Sequence, residues 1–230
     1  MMPKLLRKYR WMKFKTIESS SDGNCFILDT LMIDLGLSYT KTKPFLKDVE
    51  FVLLTHLHGD HFKKDTIRKI FVTHEHIKFV CGEWLLEKLL KIGVSNDRII
   101  VVEFGKVYQL GEYKISPVMA YHDVENCGYR IMKNGWKHLH ITDTFTLDGI
   151  EAVGYNSASI ECNHHYKTAL ELIEKAKEDS EFSHLQGAIN SHLAVHETIE
   201  FCKANGIKKL YPVHIGNSTK KEVIESLKAW

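Results

Sequence analysis

The 230-residue chain is 44% hydrophobic and 26% charged, enough for one large core, and its formal net charge of +2 is too small to argue for a polyanion partner by itself. Five cysteines (Cys25, Cys81, Cys127, Cys162 and Cys202) are odd in number, widely spread and free of any CxxC pair. That pattern argues against a disulfide framework or a thiolate zinc knuckle and fits a reducing cytoplasm.

The first eleven residues are read as a basic N-terminal extension, with Lys4, Arg7, Lys8 and Arg10 and no acid before Glu18, and the folded domain as residues 12–230. No apolar run follows the basic stretch, so a secretory signal is not expected, and no segment is long enough to span a bilayer. Strand-like runs then follow at Phe14 to Glu18, Cys25 to Leu28 and Leu31 to Asp34. From Val49 the pattern alternates: strand to Thr55, helix Lys63 to Phe71, strand Ile77 to Cys81, helix Glu83 to Lys91. Strands return at Ile99 to Phe104, Lys106 to Leu110, Tyr113 to Ala120, Cys127 to Lys133 and His138 to Thr142. The last third predicts a strand ending at Glu161, a helix near Tyr166 to Lys177, a strand near Gln186 to Asn190, a helix near Val195 to Asn205, the strand Lys209 to Val213 and a helix from Thr219. Strands interleaved with helices in both halves predict two sheets packed face to face with helices outside.

His56-Leu57-His58-Gly59-Asp60-His61 places three imidazoles and a carboxylate directly after the apolar run Phe51 to Thr55. Crowding such groups in a semi-buried crevice costs desolvation and mutual repulsion, which a bound cation removes. If the extended geometry persists, His56 and His58 point the same way and share one cation, while Asp60 and His61 turn towards a second. Further ligands are then needed. His122 after the strand Ile115 to Ala120, Asp143 after His138 to Thr142, and His214 after Leu210 to Val213 each stand at a strand's C-terminal tip, where open sheets collect their sites.

Asp34, the HxHxDH segment, His122, Asp143 and His214, in that order, resemble the motifs of the metallo-beta-lactamase superfamily over essentially the whole chain from Met12. The resemblance implies a four-layer αβ/βα sandwich. It implies two divalent cations, zinc first with manganese or iron as alternatives, one held by His56, His58 and His122, the other by Asp60, His61 and His214, with Asp143 bridging. Asp34 would accept a ligand imidazole N–H and fix its tautomer. An Asp rather than a Cys at the bridging position favours the phosphodiesterase, nuclease and glyoxalase branches over the lactamases.

Ser19 to Asn24, Asp34 to Ser38, His122 to Tyr129, Glu161 to His164 and Ser191 to Leu193 are similar to a bacterial DNA 5'-exonuclease-like group adjoining ribonuclease Z and the cyclic phosphodiesterases. His165, Ser191 and Ala194 depart from that group's usual residues, which bears on a polymeric substrate more than on the chemistry. The resemblance implies hydrolysis of a phosphodiester, in a nucleic-acid end or a small cyclic or dinucleotide, by hydroxide held between the cations. Asp60 and Asp143 would position the nucleophile and His164 or His192 would protonate the leaving oxygen. A long basic groove would favour the polymer, an aromatic-walled pocket the small ligand. Carboxylic ester, thioester or lactone hydrolysis, and metal-dependent nucleotide binding without hydrolysis, are the alternatives; a homodimer is left open. Among the 14 histidines, His74, His76, His184 and His196 are read as solvated, and His138 and His140 as surface or packing residues.

Overall fold

The computed structural model describes residues 12–230; the predicted basic extension lies outside the described residues. Twelve strands form two six-stranded sheets. The first holds β1 (Phe14–Ser20), β2 (Gly23–Leu28), β3 (Leu31–Ile33), β4 (Phe51–Leu53), β5 (Lys78–Cys81) and β6 (Ile99–Val101) in chain order. Its first three strands pair antiparallel, and β3 to β6 pair parallel. The second holds β7 (Tyr108–Leu110), β8 (Tyr113–Ala120), β9 (Asn126–Lys133), β10 (Trp136–Ile141), β11 (Ser157–Glu161) and β12 (Leu210–Val213), antiparallel from β7 to β10 and parallel from β10 to β12.

The period-two alternation of the strands explains the layers. Phe26, Leu28, Ile33, Leu53 and Val80 of the first sheet meet Tyr113, Ile115, Cys127, Tyr129 and Ile131 of the second in one buried cluster between the sheets. The opposite face of the first sheet, with Cys25, Met32, Val52, Phe79 and Cys81, packs on α2 (Lys64–Thr73) and α3 (Glu83–Ile92) through Ile67, Ile70, Leu85 and Leu89. On the far side Leu139, Ile141, Ala158 and Ile160 pack with Leu193 and with Cys202 of α6 (Val195–Ala204). Helix, sheet, sheet and helix stack as the four layers predicted. No helix among the described residues is long and apolar enough to cross a membrane.

One predicted strand is a helix. Gln186 to Asn190 lies within α5 (Leu185–Ser191), because Leu185 and Ile189, four apart, lie on one helical face and pack on Ala169 and Ile173 of α4 (Tyr166–Glu178). The short helix α1 (Tyr39–Thr42) and the 3-10 turns at Lys43–Asp48 and Asn96–Arg98 were not expected; each is too short for an apolar period to register. A last helix, α7 (Lys220–Ala229), closes the chain.

Gly36 fixes where the histidine-rich loop sits. A Cβ there would lie 1.6 Å from the Asp60 carbonyl oxygen and 2.5 Å from the Asn24 backbone nitrogen. Because both obstacles are backbone, Gly36→Ala is expected to destabilise the fold by about 3 kcal/mol and to displace the loop. Urea unfolding would measure the first, and metal content the second.

Candidate metal centre

Strand ends deliver every candidate metal ligand. Asp34 follows β3, the His56 to His61 loop follows β4, His122 follows β8, Asp143 follows β10 and His214 follows β12. Asp34, Asp143 and His214 adopt φ of 59°, 53° and 51°, the left-handed region that Asp and His tolerate better than most side chains. Each such residue costs roughly 1–3 kcal/mol, and such strain collects at sites whose surroundings over-determine the backbone.

The seven positions converge. Donor atoms of His56, His58 and His122 lie within 4.8 Å of one another, as do those of Asp60, His61 and His214. Asp143 links these groups: it clusters with His56 of the first and His61 of the second, with Oδ2 at 3.0 Å from His61 Nε2 and Oδ1 at 3.1 Å from His214 Nδ1. His122 Nε2 and His58 Nδ1 face each other at 3.3 Å, and the buried His56 Nε2 has no hydrogen-bond partner. An orphaned imidazole nitrogen beside converging nitrogen and oxygen donors is costly unless a cation takes the lone pairs. The residues therefore fit a pair of divalent ions, and a donor set without thiolate suits zinc, manganese or iron.

A surrounding layer holds these groups in place. His61 Nδ1 donates to Asp34 Oδ2 at 2.7 Å, the relation expected for Asp34. The Thr55 backbone N–H and hydroxyl both donate to Asp34 Oδ1, and the same hydroxyl lies 2.9 Å from His56 Nδ1. Asn24 Nδ2 donates to Asp60 Oδ2 at 3.1 Å, and the His214 backbone N–H donates to the Ser19 hydroxyl at 2.6 Å. Asn24, Thr55 and Ser19 carry no metal-ligand signature, so sequence reasoning passed over their roles.

Glu161 is the larger omission. It is fully buried at the tip of β11, and its Oε1 accepts the backbone N–H of Thr144 at 2.7 Å and of Leu193 at 3.2 Å. Its Oε2 accepts His192 Nδ1–H at 3.0 Å and lies 3.3 Å from His214 Nδ1. The available signal was an acid ending an otherwise apolar and small-residue strand. His192 thereby joins the cluster, with its ring centroid 5.2 Å from that of His122 and 5.0 Å from that of His214. His164 does not join any of the groups of close donor atoms; its Nδ1 is buried without a partner, and burial pushes its pKa down to about 4. His138 and His140 are packing residues, bonded to Ser157 and Ser159 inside the fold. His184 and His196 are exposed, as expected.

Electrostatics in the metal-free protein are set by imidazolium-carboxylate pairs. Burial alone would lower His214, but Asp143 and hydrogen bonds to Asp60 and Glu161 push it up to about 10. Against the same burial effect, Asp143 and Asp34 hold His61 well above the ordinary imidazole value. Both shifts favour the protonated rings without metal, and a cation must displace the protons held there. Loading at pH 7 is expected to release about two protons per molecule, and affinity is expected to rise with pH as the competition weakens. Calorimetry in buffers of different ionisation enthalpy would count the protons; zero release would contradict the pairing.

Residues 30–215 match the family model described as the beta-lactamase superfamily domain. The chain belongs to the metallo-beta-lactamase superfamily. It is 27% identical over 170 residues to an exodeoxyribonuclease, YycJ, of Bacillus anthracis, a match covering 66% of this chain and 63% of that relative, so the aligned part spans less than two thirds of the relative's length. The metallo-beta-lactamase fold protein YhfI of Bacillus subtilis superposes with a TM-score of 0.73 at 16% identity, covering 95% of this chain and 92% of that one. A diphosphatase of the PhnP family gives 0.68 at 15% identity over 94% and 91%, and the short form of human tRNase Z gives 0.66 at 14% over 89% and 92%. At these identities the structural likenesses establish the fold. Superfamily membership and the donor cluster agree on a domain built to hold divalent metal ions.

Proposed function

We propose that the protein hydrolyses phosphodiester bonds in a nucleic-acid end or a small nucleotide diester. The observation that carries this reading is a cleft of about 610 Å³ bordering Gly59 of the histidine loop, lined by Lys63, Lys64 and Lys69 against a single acid, Asp65. Three lysines lining a cleft that reaches the histidine loop at Gly59 favour an anionic substrate over a neutral ester or lactone. An exodeoxyribonuclease, a diphosphatase and a tRNase among the similar proteins point the same way.

His56, His58 and His122 would hold one cation, Asp60, His61 and His214 the other, and Asp143 would lie between them. When bound, the two ions supply Lewis acidity towards a water and towards the phosphoryl oxygens. The chain's own groups do the rest. Asp60 and Asp143, fixed by Asn24 and by the flanking imidazoles, orient the attacking water through their carboxylate oxygens. His192 is held by Glu161, with Asp143 behind, and in the metal-free protein this bond and charge raise its pKa against the effect of burial. It is the donor to the departing alkoxide, with Nε2 as the ring nitrogen not engaged by Glu161; His164, depressed by burial, is not. Five buried cysteines, all free, belong with a reducing compartment such as the cytoplasm.

The test is turnover by protein reconstituted in turn with zinc, manganese and iron(II), on cyclic mononucleotides, 5'-labelled single-stranded DNA and a lactone. Cleavage of either phosphodiester class is expected. Lactone cleavage with both diesters untouched would overturn the reading in favour of ester chemistry, and nucleotide binding without any turnover would make the protein a binder.

A further inference from the structure

A second cavity, about 370 Å³, has His122 among its lining residues. Its walls are aromatic. Trp84 and Phe104 stack with centroids 5.7 Å apart and planes 19° apart, and Tyr121 and Phe145 lie 5.7 Å apart. Phe104, Tyr121 and Phe145 are 40%, 39% and 49% exposed, much more than rings placed only to fill a core. Asp123 and Glu125 add carboxylates to the lining.

We propose that this cavity is a nucleobase subsite, so that the scissile phosphate belongs to a nucleotide whose base stacks on Phe104 and Phe145. The inference rests on the phosphodiester reading and narrows it: diesters lacking a base are not the intended substrates. Exposed ring faces suit a planar, polarisable ligand, and stacking on them is indifferent to which base is presented. The volume lies near the lower end of the roughly 300–1,000 Å³ typical of small-ligand sites, room for one nucleoside rather than a duplex. Glu125 at the lining can accept the exocyclic and ring N–H groups of a base and repels a phosphate or carboxylate, which directs the anionic end of the ligand away from it, whereas Asp123 Oδ1 lies 3.1 Å from His122 Nε2 and 3.4 Å from His58 Nε2. Because His122 Nε2 lies 3.3 Å from His58 Nδ1, that end emerges at the candidate metal centre. A fatty acyl chain lacks the N–H donors this acid would take.

The cavity can be tested without metal. Metal-free protein titrated with 2-aminopurine riboside, a nucleoside without phosphate, is expected to quench the fluorescence of the base on stacking. Phe104→Ala and Phe145→Ala are each expected to weaken binding roughly 5- to 100-fold, while Phe104→Trp retains it; both positions are exposed, so the variants fold. Ribose is expected not to compete and adenosine to compete. Equal affinity in the wild type and both alanine variants, or displacement by octanoate in preference to adenosine, would overturn the proposal. Nucleoside binding combined with no diester turnover in loaded protein would uphold the subsite while removing the reaction. Turnover without nucleoside binding would do the reverse.

Discussion

His58→Ala is expected to lose metal and turnover together. The side chain is about one third exposed on the loop after β4, so its removal leaves no core cavity and the fold should survive. What it removes is one of three nitrogen donors that meet with His56 and His122. With two donors left in that group, the ion would be held weakly. Lewis acidity is worth several kcal/mol of transition-state stabilisation, and at about 1.4 kcal/mol per factor of ten the turnover should fall roughly 10³-fold or more. Elemental analysis after dialysis, read beside the circular dichroism spectrum, decides the matter. An unchanged metal content in the folded variant would refute the assignment of His58.

His192→Ala should behave differently, losing rate while keeping metal. The ring is held by Glu161 and sits against Asp143 and His214, but the proposed ligand groups are complete without it. Loss of a proton donor costs typically 10²–10⁴-fold, and only where the leaving group needs the proton. Turnover of a natural diester, which expels an alkoxide, should therefore fall by about that factor, whereas a p-nitrophenyl ester, whose leaving group departs as a stable anion, should be slowed much less. Glu161→Gln, which keeps the shape but removes the charge behind the ring, should move the natural-substrate rate in the same direction. An equal loss on both substrates with intact metal content would assign His192 to structure rather than proton transfer.

Much of the centre was legible because its residues combine an unusual chemistry with an ordinary position. Asp60 and His61 are conspicuous beside His56 and His58, and His122, Asp143 and His214 each follow an apolar run whose end a strand pattern locates. Glu161, Asn24 and Thr55 were hidden for the opposite reason: an acid, an amide and a hydroxyl are common side chains, and only burial and the direction of their hydrogen bonds single them out. Sequence alone likewise could not separate His164 from His192, since both follow the same kind of run; in the structure it is His192 that bonds a carboxylate, that of Glu161. The layered architecture followed from alternation along the strands. The segment Gln186 to Asn190 failed because a mixed run of that length suits either period, and packing on α4 decided for the helix.

The left-handed backbone at Asp34, Asp143 and His214 sets the terms on which these positions can be varied. A glutamate in place of either aspartate would preserve the charge yet give up the short side chain that tolerates this conformation, while a glycine would relax the main chain and abolish the donor. Asparagine alone keeps the torsion comfortable and changes only the chemistry. At these three corners of the molecule, electrical equivalence and conformational equivalence select different replacements, and any redesign of the centre has to choose between them.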